Sequence, residues 1–299
     1  MSDSAARLDL EASPAPTALV KDISGLVSPP DVCMRIFELL QSPDSSAQDI
    51  GDVIIQDPNL TARLLKIVNS PLYSFIQRVD TVSRAISIIG IRDLYNLVVA
   101  ISAVRSFSSI ASDLVNMDMF WRHSLFTGLI ARRFAKRCRI LHPERLFVAG
   151  LLHDIGSLVL YNRMPELSRD LLLLADGDEH ALYLAEEKEL GFGHPELGAL
   201  LLELWNIPRP LQDAVRYHHS PDRTKGGATS EIAIVHIAEA LANQSDFGGF
   251  CQGTEPGAGP HPAAWEALGL NPETIDTDEI IGDAGGEFTE TVGLIVRGG

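Results

Sequence analysis

The sequence is short of several things, and each shortage removes a class of function. Its 3 cysteines, Cys33, Cys138 and Cys251, are odd in number and far apart, so no disulfide framework is expected and a reducing cytoplasm is the expected compartment. Nowhere do 18 apolar residues run together without a charge, so no transmembrane helix and no membrane partner are expected. The opening "MSDSAARLDLEASPAPTALVKD" lacks the basic start and apolar centre of a secretion signal, and its Ser, Ala and Pro content reads as a disordered lead-in over residues 1–20. Basic residues are scarce: 24 Lys and Arg stand against 40 Asp and Glu, a net charge of −16. Such a field repels phosphate backbones, so no nucleic-acid partner is expected. The one basic cluster, "ARRFAKRCR" (Ala131 to Arg139), reads as the solvated face of a helix. Internal repeats are missing, and so are alternating strand patterns joined by hairpin turns.

What remains is helical. Hydrophobic residues make up 45% of the chain, enough for a large core. "PPDVCMRIFELLQS" spaces Val32, Ile36, Leu39 and Leu40 as a helix does. "SSAQDIGDVIIQDPNLTARLLKIVNSPLYS" reads as two helices, the second capped by Asp57 with Pro58 at its first position and ended at Asn69-Ser70 before Pro71. Asn69 is expected to turn the chain there and to bond backbone across the junction of two lobes. "VDTVSRAISIIGIRDLYNLVVAISAVRSF" reads as two helices broken at Gly90, and a long helix follows from Asp118 to Cys138. "HPERLFVAGLLHDIGSLVLYN" reads as one apolar helix, and "HPELGALLLELWN", "PRPLQDAVRYHH", "EIAIVHIAEALANQ" and "PAAWEALGL" as four more. "GGFCQGTEPGAGP" (248–260) reads as a flexible loop. The expected class is all-α in two helical lobes, 21–112 and 113–250, with residues 251–299 a loop and a weakly patterned tail.

The histidines carry the functional signal. His153-Asp154 sits inside the apolar run "LFVAGLLHDIGSLVLY", where an unpartnered carboxylate would cost several kcal/mol. His123, His194 and His218-His219 lie on neighbouring helices or at their ends, and Glu239 lies on a later one. If these converge, several imidazoles and two carboxylates hold one or two divalent ions of iron, manganese, nickel or zinc. With open positions such a centre activates water.

"HDIG", with His123 upstream and a His-His pair downstream, resembles the HD superfamily of metal-dependent phosphohydrolases. The ordered series "QDPNLTARLLKIVNSPLYS", "VSRAISIIGIRDLYNLV", "FWRHSLFTGLIARRFA", "AGLLHDIGSLVL" and "HPELGALLLELWNIPRPLQDAVRYHHSP" is more specific: from about Leu26 to Asn243 the chain resembles the HDOD family, the HD-related output domains of bacterial signalling proteins. The resemblance implies an all-α fold whose second lobe is HD-like, and a regulatory role. It implies metal ligands at His123, His153 and Asp154, with Glu239 where the superfamily has Asp. His194, His218 and His219 correspond to the second-metal histidines of binuclear relatives such as the HD-GYP phosphodiesterases. Two departures weaken an enzymatic reading. Ser157 stands where active relatives carry a phosphate-binding Lys, and "SPDRTKGG" after His219 holds no GYP motif.

Two function classes follow. One is a signalling output module, acting through a protein partner or self-association, with a metal centre that turns nothing over. The other is a metal-dependent phosphohydrolase or phosphodiesterase acting on a nucleotide or cyclic nucleotide, its activity resting on Asp154. Elemental analysis with a phosphodiesterase screen separates them.

Overall fold

A computed structural model describes residues 15–24, 31–73, 75–108, 114–225, 227, 229–245, 247 and 259–296. Among them there is no strand. Most of the expected loop (248–260) and of the expected lead-in (1–20) lies outside the described residues, but the last part of that lead-in is ordered, since residues 16–20 begin the first helix. The helices are α1 (Pro16–Ser24), α2 (Asp31–Gln41), α3 (Ala47–Ile55), α4 (Pro58–Val68), α5 (Val82–Ile89), α6 (Ile91–Ser108), α7 (Met117–Arg137), α8 (Glu144–Leu152), α9 (Ile155–Arg163), α10 (Pro165–Ala175), α11 (Glu179–Leu190), α12 (His194–Leu204), α13 (Arg209–Arg216), α14 (Ser230–Asn243), α15 (Pro262–Leu268) and α16 (Thr277–Ile295).

Local chemistry sets the boundaries of the first helices. Ser46 and Asp49 form a reciprocal capping box at the start of α3. Asp57 accepts from the amides of Asn59 and Leu60, each at 3.0 Å, and so opens α4. Gly90, at φ +89°, takes a conformation that a side chain would oppose and bends the chain by 118° between α5 and α6. No single described helix is long and apolar enough to cross a membrane. The apolar face of α6 is buried against its neighbours instead, from Leu94 through Phe107.

Asn69 is a fastener, but not between lobes. Its Nδ2 donates to the carbonyls of Leu65 and Val79, and its Oδ1 accepts from the Val79 amide, all at 2.7 Å. It ties the end of α4 to the segment leading into α5. The bond that crosses to α7 comes from the other side, where Arg132 Nη1 donates to the Leu72 carbonyl. Tyr95 on α6 makes a second crossing, donating to the Trp205 carbonyl past the end of α12 at 3.0 Å.

The centre of the molecule is a backbone-to-backbone contact. A Cβ on Gly128 of α7 would lie 2.6 Å from the Phe147 carbonyl, and one on Gly150 of α8 would lie 2.7 Å from Gly128 Cα. Only glycine at both positions lets α7 and α8 come this close, which sets His123 against His153.

Two expectations for surface and tail are corrected here. The C-terminal tail forms the long helix α16, laid antiparallel on α7. The basic cluster is a solvated face only in part: Lys136, Arg137 and Arg139 are exposed, but Arg132 is fully buried and paired with Glu287, Arg133 pairs with Asp283 and Glu287, and Arg137 pairs with Glu279 at 3.4 Å. Phe288 of α16 lies edge-on to Phe126 of α7, and Arg122 stands 5.1 Å above its ring. The tail was hard to read because Gly282, Gly285, Gly286 and Gly293 dilute its pattern. Each costs about 1 kcal/mol of helix propensity relative to Ala, so tertiary contact and not local preference forms this helix.

Candidate metal centre

Five segments converge on one spot. α7 contributes His123, the α8–α9 junction His153 and Asp154, the first residue of α12 His194, the segment after α13 His218 and His219, and α14 Glu239. All seven residues are buried, none more than 7% exposed. The sequence suggested one helix through His153-Asp154, but α8 ends at Leu152 and α9 begins at Ile155. The break has a purpose that geometry explains. Neighbouring residues of a continuous helix point about 100° apart. His153 keeps helical angles (φ −57°, ψ −39°) and the chain departs from them at Asp154 (φ −96°, ψ 9°), so the two adjacent side chains can face one centre. Here both do.

Asp154 divides its oxygens. Oδ2 lies 3.1 Å from His153 Nε2 and 3.9 Å from His123 Nε2. Oδ1 lies 3.3 Å from His194 Nε2 and 3.5 Å from His218 Nε2. His123 and His153 bring their Nε2 atoms within 3.4 Å, and His219 and His194 bring theirs within 3.2 Å. Glu239 closes the far side, 3.3 Å from His219 Nδ1 and 4.0 Å from His218 Nε2. The donors fall into overlapping sets, His123/His153/Asp154, Asp154/His194/His218/His219 and His153/His218/Glu239, each within 4.8 Å.

These residues fit a metal, by two observations. The first is the spacing. Two ligand atoms about 2.1 Å from one ion, at tetrahedral or octahedral angles, stand about 3.0–3.4 Å apart. The two His–His separations and two of the four His–Asp154 separations are of this size. The second is the orientation of the rings. His153 Nδ1 faces the Gly150 carbonyl at 2.7 Å and His218 Nδ1 the Val215 carbonyl at 2.6 Å. Donation there puts the proton on Nδ1 and leaves each Nε2 lone pair aimed inward. His218 Nε2 is buried and has no hydrogen-bond partner.

The charges are distributed unevenly. Burial would push Asp154 up, but the His153 charge and the facing imidazoles of His153, His194 and His218 hold it well below the usual carboxylate range. Burial, with the charges of Glu179 and Asp154, pushes Glu239 well above it. Burial lowers His218 to about 4 and, with the neighbouring His218 and His194, holds His219 well below the usual imidazole range. Burial also opposes charge on His153 and His194. The carboxylates overcome it, so His153 is raised by Asp154 and His194 well raised, chiefly by Glu186.

α11 supplies two carboxylates that sequence reading missed. Glu186 Oε2 accepts from the His194 amide and faces His194 Nδ1, both at 2.7 Å. It fixes that ring with Nε2 inward. Glu179 Oε1 lies 3.7 Å from His123 Nε2, while its Oε2 accepts from Asn243 at 2.6 Å. Tyr183, between them on α11, stacks on His219 at 5.1 Å and 22°. In "DGDEHALYLAEEKEL" these two acids look like the exposed ones beside them, and nothing local marks them as buried. Glu186→Gln is expected to lower metal affinity about 10–100-fold while leaving the helical fold intact. Calorimetric titration with Mn²⁺ or Zn²⁺ measures the first, and circular dichroism the second.

Known proteins share this fold. The HDOD domain family model matches residues 26–221. The chain belongs to the HDOD family. An uncharacterized protein of Treponema pallidum (strain Nichols) is 29% identical over 193 residues, 64% of this chain. This HDOD chain spans only 37% of that relative's length. The crystal structure of an HDOD domain protein of unknown function from Geobacter sulfurreducens is similar at TM-score 0.70 and 26% identity, covering 93% of this chain and 97% of that one. A protein from Shewanella amazonensis SB2B, described as a candidate phosphohydrolase, shares the fold at TM-score 0.68 and 22% identity, covering 93% and 98%. Of the HDOD chain's seven centre residues, all but Glu239 fall within the matched span.

Proposed function

We propose that this protein is a regulatory output module whose buried His-carboxylate centre holds one or two divalent metal ions, and which acts by contact with a protein partner or a second copy. The single observation carrying this reading is that the centre is closed and has no cation to spare. Every donor is buried. Among the described residues, no Lys or Arg pairs with Asp154, Glu179, Glu186 or Glu239. Ser157, at the position after "HDIG", is buried at 3% exposure, with its amide bonded back to the Asp154 carbonyl. The arginines flanking His218-His219 are already committed, Arg216 to Glu196 and Arg223 to Glu187. A phosphoester entering this site would meet carboxylates and imidazoles but no Lys or Arg to bind it bidentately or as a point charge. A bound divalent ion would supply Lewis acidity. The chain's own residues supply a tight, pre-oriented shell: Glu186 orients His194, the Gly150 and Val215 carbonyls orient His153 and His218, and Asp154 joins the two halves.

One observation favours a second reading, a phosphohydrolase with a nucleotide ligand. The divided oxygens of Asp154 make two adjacent half-sites, as two-metal displacement requires, and one structural relative carries a phosphohydrolase description. The test is purification without chelator, elemental analysis, and a screen of phosphomonoesters, nucleotides and cyclic dinucleotides with Mn²⁺, Fe²⁺, Ni²⁺ and Zn²⁺. The expected result is bound metal without turnover. Turnover that disappears in Asp154→Ala would overturn the regulatory reading and establish the enzyme.

A further inference from the structure

The helix α16 is bound to α7 by contacts of two kinds, and the helix itself is built weakly. The first kind is a charge ladder. Glu279, Asp283 and Glu287, one helical turn apart, meet Arg137, Arg133 and the Arg132/Arg133 pair in reverse order. α16 contains no Lys or Arg. The outer rungs are open to water, with side chains 26% and 56% exposed for Arg133–Asp283 and 42% and 60% for Arg137–Glu279, so salt weakens them. The second kind is apolar: Ile280, Ala284, Phe288 and Ile295 are buried, and Phe288 packs on Phe126 and Phe247.

The weakness of the helix is not imposed by packing. A Cβ at Gly282, Gly286 or Gly293 would meet nothing within 4 Å. Only Gly285 is pressed, by Phe247 at 3.0 Å. Alanine would therefore fit at three positions and strengthen the helix. A segment that folds only when docked, on a face it matches by charge register, can dock equally well on the same face of another molecule. The connection from α15, residues 269–276, reaches up to about 26 Å when extended. α15 itself is anchored separately, by Trp265 against Phe134.

We propose that α16 is an exchangeable strap. In one molecule it covers the basic, aromatic-bordered face of α7, and in a dimer each copy lays its α16 on the partner copy's α7. The charge complementarity of the ladder commits the occupant to a second copy of this chain. An unrelated acidic protein would lack both the register of the ladder and the buried Phe288 contacts. The proposal shares with the regulatory reading only the claim that the chain acts by contact, and its test is independent of metal and turnover.

Charge reversal in two full-length variants separates exchange from a fixed helix. One carries Arg133→Glu and Arg137→Glu, the other Glu279→Lys and Asp283→Lys. The buried Arg132–Glu287 pair is left intact in both. Each alone has like charges facing in cis. Mixed, each provides the face that the other's α16 needs. The expected result is a 1:1 heterodimer by size-exclusion chromatography with light scattering, at least tenfold more abundant than any dimer of either variant alone. Two folded, monomeric variants that stay monomeric on mixing would overturn the proposal. Should either variant fail to fold, hydrogen exchange on the unaltered protein decides. The amides of 277–295 are expected to exchange at least tenfold faster than those of α14, and faster again at 0.5 M than at about 0.05 M salt, where screening is weak. Protection equal to that of α14 at both salts would overturn it. The triple variant Gly282→Ala, Gly286→Ala, Gly293→Ala is expected to slow that exchange.

Discussion

Replacing Asp154 with alanine is expected to abolish metal binding, lowering affinity by at least the hundredfold that marks the upper end for loss of a supporting residue. The reason is its divided carboxylate. One oxygen serves His123 and His153, the other His194 and His218. Removing it leaves two sets of imidazoles with no shared anion. Asp154→Asn keeps the volume and loses the charge, and it should fail in the same way. Elemental analysis of the purified proteins and calorimetric titration measure the loss. Thermal unfolding reports it independently, because metal at a hundredfold excess over Kd stabilises a folded binder by about 2.7 kcal/mol. The parent protein should gain that increment and the variant none. Retained metal in Asp154→Ala would show that the centre is elsewhere.

The pH dependence has a definite sign. Glu239 is raised well above its ordinary value, and His153 and His194 are raised as well, so all three hold protons more tightly than free side chains do. Metal must displace those protons. Affinity is therefore expected to fall as pH falls through the ordinary imidazole range and below, and binding near neutrality to release protons. Asp154 and His218 contribute little to this, since one is held low and the other is held near 4. Calorimetry in buffers of different ionisation enthalpy counts the released protons, and a release of none would contradict the assignment.

The second large effect is expected from Gly156→Ala. Gly156 follows the His-Asp pair on α9 and lies against the start of α12. A methyl there would fall 2.0 Å from the His194 carbonyl oxygen and 2.5 Å from the Gly198 amide nitrogen. Both neighbours are backbone, so neither can swing aside as a side chain would. Relief requires α9 and α12 to separate, and that moves His194 away from Asp154. A loss of about 3 kcal/mol in denaturant stability, at the upper end of overpacking costs, is expected together with loss of metal. Gly282→Ala, where a methyl meets nothing, is the control and should be neutral or stabilising. Unchanged stability in Gly156→Ala would mean the two helices have slack that their spacing does not show.

Much of this was legible from residues alone, for a physical reason. Caps and breakers act locally, so Asp57-Pro58 and Gly90 could be read where they stand. The site's histidines were legible because imidazoles are conspicuous in apolar surroundings. The missed features all depend on what lies across from a residue. Glu179 and Glu186 are buried by packing of α11 against the centre, which no spacing within α11 encodes. The break at His153-Asp154 occurs inside an apolar run with no Gly or Pro at the break itself. The face of α7 looked solvated because its counter-charges lie some 150 residues away, on a helix whose glycines conceal it.

Arg132 has a consequence for how this protein can be cut and joined. Its guanidinium is wholly buried, with one arm on the Leu72 carbonyl and the other on Glu287. The span that identifies the family ends at residue 221, before both Glu287 and the centre's Glu239. A chimera that transplants 26–221 alone into another chain would carry an arginine in its interior without its counter-ion, and a ligand shell with one wall open. Breaking a buried pair in this way costs about 3–5 kcal/mol, a large part of what holds a domain of this kind together. The portable unit therefore extends at least through α16, and a fusion designed at the family boundary is expected to be insoluble where one carried to residue 296 is not.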